Sequence, residues 1–275
     1  MNALRLGCAR VVLALAAVSP AAVWAVDGVV LIDQNRAISG SVTPGDTPGF
    51  PVSINSPGIY KLASNLVVPN ENTTAILVNV DNVTIDLNGF AILGPNVCAT
   101  DGFNPATPCT KPATSAVLGV GVDGVSAGTV RNTRVLNGTI DGMGGIGLYL
   151  GVNSRVEKMN VTSNAAYGIY TSGGVILDTL VRANGLTGIF VSGAIISGSR
   201  SIFNRGSGIS TSNASLLSGN VISTNVSFGL VLSTTVPSRY TDNVINNNNG
   251  GDANPQIAGG TQAGANSCGP SGPCP

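Results

Sequence analysis

No histidine occurs anywhere in this chain. That removes imidazole acid–base chemistry from any mechanism and takes away a main zinc donor. Charge is sparse as well: Asp, Glu, Lys and Arg make up 9% of the residues. Glutamate occurs only at Glu71 and Glu157, and lysine only at Lys61, Lys111 and Lys158. A chain so poor in strong helix formers, yet rich in Val, Ile, Thr, Asn and Gly, favours strands and turns. Long apolar runs are missing too, and no segment after residue 25 is long and apolar enough to span a bilayer. The apolar residues alternate instead with Ser, Thr and Asn, the pattern of buried strands.

What is there begins with a leader. Arg5 and Arg10 precede a short apolar run from Val11 to Ala17, and Val23-Trp24-Ala25 offers a cleavage site. Residues 1–25 therefore read as a secretory signal, and the mature chain as exported to the periplasm or outside the cell. Without Arg5 and Arg10, 11 basic residues stand against 13 acidic ones. Residues 26–130 carry a balance of minus five (3 basic, 8 acidic) and the rest plus three (8 basic, 5 acidic). That is too weak for a nucleic-acid partner, though the second half would not repel an acidic polysaccharide.

Four cysteines follow the leader, an even count that suggests disulfides in an exported protein. The local pairings, Cys98 with Cys109 and Cys268 with Cys274, are expected. Neither pair has the spacing of a zinc site. Asp141 and Asp252 sit in glycine clusters, but one carboxylate each is too few for calcium. Neither metal nor cofactor is expected.

The centre of the chain repeats itself every 20 or 21 residues. Gly147-Leu148 recurs as Gly168-Ile169, Gly188-Ile189, Gly208-Ile209 and Gly229-Leu230. Late in each unit comes an asparagine: Asn164, Asn184, Asn204, Asn225 and Asn246. A fixed period in two columns marks a solenoid. Each unit holds three apolar columns, which implies three strands per turn. The asparagines are expected to sit at left-handed corners and bond one turn to the next as a structural ladder.

With these Gly-Ile starts and this asparagine column, the stretch from Thr74 to Asn249 resembles the pectate-lyase-like fold of exported bacterial proteins. The lead-in Val83-Thr84-Ile85-Asp86-Leu87-Asn88-Gly89 is similar to theirs, as is the ending from Gly264 to Pro275. The resemblance implies an all-β, right-handed, single-stranded parallel β-helix of about seven turns. The expected organisation is a signal peptide (1–25), an N-terminal cap (26–73), the helix (74–249) and a Gly/Pro-rich tail (250–275). The Asp, Arg or His clusters of pectate lyases, polygalacturonases and alginate epimerases are absent.

Alternation along a strand turns Tyr149, Tyr170 and Phe190 outward on successive turns, with Ser172 and Ser192 beside them. Such a stripe can hold sugar rings, or its rings can pack on one another. A second cluster is charged. Lys158 or Arg182 would neutralise a glycan carboxylate and Asp178 or Glu157 would exchange protons, or the cluster is a solvated ion-pair row. Three functions follow: a polysaccharide-interacting protein without required catalysis, a polysaccharide lyase or glycoside hydrolase, and a structural cell-surface component.

Overall fold

The computed structural model describes residues 28–98, 109–110, 119–126, 128–269 and 274. The leader lies outside the described residues. The described strands form two sheets, of nine and seventeen strands, and every pairing between named strands is parallel. The nine-stranded sheet takes one strand from each coil, so this parallel β-solenoid has nine coils rather than the expected seven. The two extra coils lie at the ends. Val52–Ile54 pairs with Ile76–Val78, inside the stretch expected to be a cap. Ile257–Ala258 pairs with Leu230–Val231, inside the expected tail. These end coils contribute inward apolar residues, such as Val52, Ile54, Tyr60, Leu62 and Leu66. They lack the Gly-aliphatic starts that mark the central units.

The lower edge of the first coil is closed by side chains. Asp46 accepts hydrogen bonds from the backbone N–H groups of Val42 (3.0 Å) and Ser53 (2.8 Å), and Thr43 donates to the Ser53 carbonyl (2.6 Å). An open parallel edge is thereby satisfied without another strand. A one-and-a-half-turn helix, Gln34–Ser39, precedes this segment, with Asp33 as its N-cap.

Each central coil has three strand segments, the last two continuous as Ser154–Thr162 in the coil that begins at Leu148, and each segment sends one aliphatic column inward. Leu148, Ile169, Ile189, Ile209 and Leu230 stack in register on the nine-stranded sheet. Val156, Ile176, Ile196 and Leu217 form the second column, and Val161, Val181 and Ile222 flank Ser201 in the third. All are essentially without solvent exposure, and burying each aliphatic side chain contributes about 1.5–3 kcal/mol. Ser201 is tolerated because its hydroxyl donates to the Gly208 carbonyl (2.7 Å) and accepts from the Asn204 amide (3.1 Å).

At least two corners of every central coil are left-handed, and Asn132, Asn153 and Gly193 make the third so in their coils. One column holds Ser163, Ala183, Phe203, Thr224 and Asn247, with φ between 54° and 59°. The asparagines of the ladder do not themselves hold the left-handed conformation expected of them: Asn164, Asn184, Asn204 and Asn225 each come one residue after it. The Asn184 backbone N–H and side-chain amide both donate to Asn204 Oδ1, at 3.0 and 2.9 Å, and the same pair of bonds links Asn164 to Asn184 and Asn204 to Asn225. The next rung is Asn248, not Asn246. The coil from Leu216 to Arg239 is 23 residues long, because the turn after Leu230–Val231 carries two extra residues, which shift the next columns, through Asn248, by two. Asn246 instead ends a strand, half-buried. The ladder closes on Gln256, whose longer side chain reaches back to accept from the Asn248 N–H (2.8 Å) and amide (3.1 Å).

A second ladder lies at the other corner and has no uniform sequence signature. Met159 N–H donates to the Thr179 hydroxyl, Thr179 N–H to Ser199, Ser199 N–H to Asn220 Oδ1, Asn220 N–H to Asn243 Oδ1 and Asn243 N–H to Asn266 Oδ1. Its left-handed partners are Asn137, Lys158, Asp178, Gly198, Gly219 and Asp242. Cys98 is bonded to Cys109, and Cys268 to Cys274. The first bridge packs on the asparagine corner: Cys98 Sγ lies 3.3 Å from the Ser163 carbonyl oxygen, and Asn96 donates to the same oxygen at 2.6 Å.

Candidate functional site

The outer face of the nine-stranded sheet presents one continuous row. Its members, in register, are Ser53, Leu77, Asp123, Tyr149, Tyr170, Phe190, Ser210, Val231 and Ala258. They point outward because their neighbours on either side, such as Ile169 and Thr171 around Tyr170, are buried. Adjacent members are one strand spacing apart, ~4.8 Å.

The rings pack on each other. Tyr170 and Phe190 stack nearly parallel, with centroids 4.9 Å apart and planes at 20°. Tyr149 meets Tyr170 edge-on at 5.2 Å and 82°. A fourth ring, Tyr167, joins from the preceding turn, 5.6 Å from Tyr170 and 5.7 Å from Phe190. Sequence reasoning missed Tyr167 because its turn position holds Ile146, Thr187, Ser207 and Phe228 in the neighbouring units, so no column marked it. Beneath and beside the rings lie Val120, Ile146, Ala166 and Leu186. One face each of Tyr170 and Phe190 is thus taken up by the other ring. The next member of the row is Ser210, too small to cover the far face of Phe190. Burial, then Tyr170 and Asp123 in that order, push the Tyr149 hydroxyl above its ordinary value, so it stays a neutral donor.

Ser172, exposed, and Ser192, half-buried, stand two places along from the rings. Neither hydroxyl bonds to another described residue, so both face solvent as free donors and acceptors.

Before Tyr149 the row opens into a depression of about 370 Å³, lined by Phe50, Pro51, Asn72, Thr73, Thr74, Leu77, Asp123 and Ser126. Asp123 is 2% exposed. Its Oδ1 accepts from the backbone N–H groups of Val125 and Ser126, both at 2.9 Å. Among the described residues no donor reaches Oδ2. Asp123 and this depression were not singled out from the sequence. The signal was available in principle, since Asp123 follows Gly121-Val122 as Tyr149 follows Gly147-Leu148.

The charged residues singled out from the sequence stand elsewhere. Lys158 and Asp178 are exposed at the same left-handed corner of adjacent coils, with φ of 52° and 49°. Arg182 ends the strand Leu180–Arg182, four residues beyond Asp178, and lies over the Phe203 ring at 5.3 Å. The fold therefore pairs Lys158 with Asp178 by column and leaves Arg182 on another; none lines the depression. Glu157 is held by Arg155 and by Arg134, the latter at 2.9 Å. The hydrogen bond from Arg155 is the largest influence keeping the Glu157 carboxyl below its ordinary range, which suits an ion pair and not a proton donor.

These features define a parallel β-solenoid whose outer face carries an aromatic row, free hydroxyls and one fixed carboxylate. No protein-family model, no curated protein and no solved structure matches the chain. No helix among the described residues is long and apolar enough to cross a membrane.

Proposed function

We propose that this is an exported solenoid of the pectate-lyase-like, right-handed type, and that it binds polysaccharide along the outer face of its nine-stranded sheet. The observation that carries the reading is the gathering of Tyr149, Tyr167, Tyr170 and Phe190 on one face. The whole chain has 12 aromatic residues (1 Trp, 5 Tyr, 6 Phe), so a third of them serve this patch. Rings beside unpaired hydroxyls supply both the apolar and the polar contacts that a sugar needs. Two disulfides fit an oxidising compartment. Affinity electrophoresis and calorimetry with a panel of neutral and uronate glycans test the reading. Tyr170→Ala is expected to weaken binding roughly tenfold, on the scale of about 1.4 kcal/mol for one lost ring contact. No binding by any glycan would end it.

A second reading, a structural surface component, is favoured by the mutual packing of the rings. It requires self-association, visible as concentration-dependent sedimentation, without glycan affinity. A lyase or hydrolase built on Lys158, Asp178 and Arg182 is the third. It requires new reducing ends or unsaturated uronates, lost in Lys158→Ala and Asp178→Ala.

A further inference from the structure

The row and the depression together contain a single charged side chain, Asp123, and it is negative. Five arginines of the basic second half, Arg134, Arg155, Arg182, Arg200 and Arg239, lie on strands of the other sheet. The net charge of the chain therefore misstates the charge of this face. Within the depression, the two backbone N–H groups of Val125 and Ser126 fix the Asp123 carboxylate by one oxygen. The other oxygen has no donor among the described residues. Phe50 and Leu77 supply an apolar floor, and Thr73, Thr74 and Ser126 supply hydroxyls. A carboxylate oriented in this way accepts strong hydrogen bonds from sugar hydroxyls. Against a uronate it places like charges together in a partly water-excluded recess, which costs affinity.

Resting on the polysaccharide reading, we propose that the depression at Asp123 is a subsite for an uncharged sugar residue, and that this face selects neutral glycans over uronates. The bound chain runs along the solenoid axis, from the depression across Tyr149 toward Phe190. Asp123 is the discriminating residue, and Tyr149, next in register, takes the neighbouring sugar.

The test measures binding of mannose and xylose oligosaccharides against galacturonate oligosaccharides of equal length, using the full mature chain. Neutral oligosaccharides are expected to bind at least ~tenfold tighter, with the gap narrowing in high salt. Asp123→Asn keeps an acceptor for the Val125 and Ser126 N–H groups, so the loop stays in place. It is expected to raise galacturonate affinity and close most of the gap. Ser126→Trp, at an exposed loop position, is expected to fill the depression and weaken neutral binding without changing thermal unfolding. Galacturonate binding as tight as neutral binding in the parent overturns the selectivity while leaving the polysaccharide reading intact. So does an unchanged gap in Asp123→Asn, or undiminished neutral binding in Ser126→Trp. Failure of every oligosaccharide to bind overturns both.

Discussion

Replacing Asn184 by alanine is the most direct test of what holds the coils in register. Asn184 has no solvent exposure. Its side chain takes part in four hydrogen bonds: two donated, to Asn204 Oδ1 (2.9 Å) and the Val161 carbonyl (3.2 Å), and two accepted, from the Asn164 N–H (3.1 Å) and the Asn164 amide (2.9 Å). At about 1 kcal/mol net for each bond, the loss is about 4 kcal/mol. Two donors on Asn164, itself fully buried, are also left without acceptors, which moves the figure toward roughly 5 kcal/mol. Domains of ordinary stability hold about 5–15 kcal/mol in all, so the effect would be plain in a guanidinium titration as a lower midpoint. Hydrogen exchange at the Asn164 N–H should accelerate more than exchange near either end of the solenoid. Asn246→Ala is the matched control. It deletes an asparagine from the sequence column but no rung of the ladder, and should change stability by no more than ~0.5 kcal/mol. A loss below ~1 kcal/mol for Asn184→Ala, or equal losses in the two variants, would refute the ladder as the source of register.

Other outcomes follow from the same geometry. A methyl group at Gly168 would lie 2.4 Å from Val181 Cγ1 and 2.8 Å from the Gly188 carbonyl oxygen; Gly168→Ala should lower stability by about 1–3 kcal/mol, measurable by thermal melting. Lys158 holds a left-handed conformation in the same column as Gly198 and Gly219. Lys158→Gly should therefore stabilise by up to about 1 kcal/mol and Lys158→Val should destabilise; a stabilising Val would contradict the corner assignment. The Glu157 carboxyl is depressed by Arg155 and Arg134. Its contribution is present at neutral pH and is lost as pH falls from the unfolded value, near 4.3, through the lower folded one. Glu157→Gln should therefore melt slightly below the parent at neutral pH and level with it in strong acid or molar salt.

The parts of the fold legible in the sequence are those where one residue type recurs at one spacing. The Gly-aliphatic starts and the asparagines from Asn164 to Asn225 do so, because a Cβ on the starting glycine would meet neighbouring atoms closer than 3 Å and an amide that both donates and accepts between coils admits few substitutes. The second ladder stayed hidden because a threonine, a serine or an asparagine can each supply the accepting oxygen, as Thr179, Ser199 and Asn220 do. Two added residues in one turn were enough to make Asn246 a false rung. The end coils were invisible because an outermost turn is closed by devices of its own, such as Asp46, and not by copies of the repeat. At the candidate site, alternation found Tyr149, Tyr170 and Phe190 but not the tilt of their rings. The choice between stacking on a sugar and stacking on a neighbour lies in that tilt.

In both ladders the backbone N–H of each rung donates to an oxygen carried by the following coil, while side-chain amides such as those of Asn184 and Asn220 also donate back to a carbonyl of the coil before. A chain emerging N-terminus first therefore presents these backbone N–H groups before the oxygens that accept from them. Its newest coil always holds donors aimed at residues that have yet to arrive, while everything behind it is already satisfied. Truncation inside the repeat exposes that same unsatisfied end wherever the cut falls. Gln256 halts the advance along one corner by folding back eight residues onto Asn248. A single glutamine, outside the repeat and part of neither column, thereby sets how many rungs the asparagine stack contains.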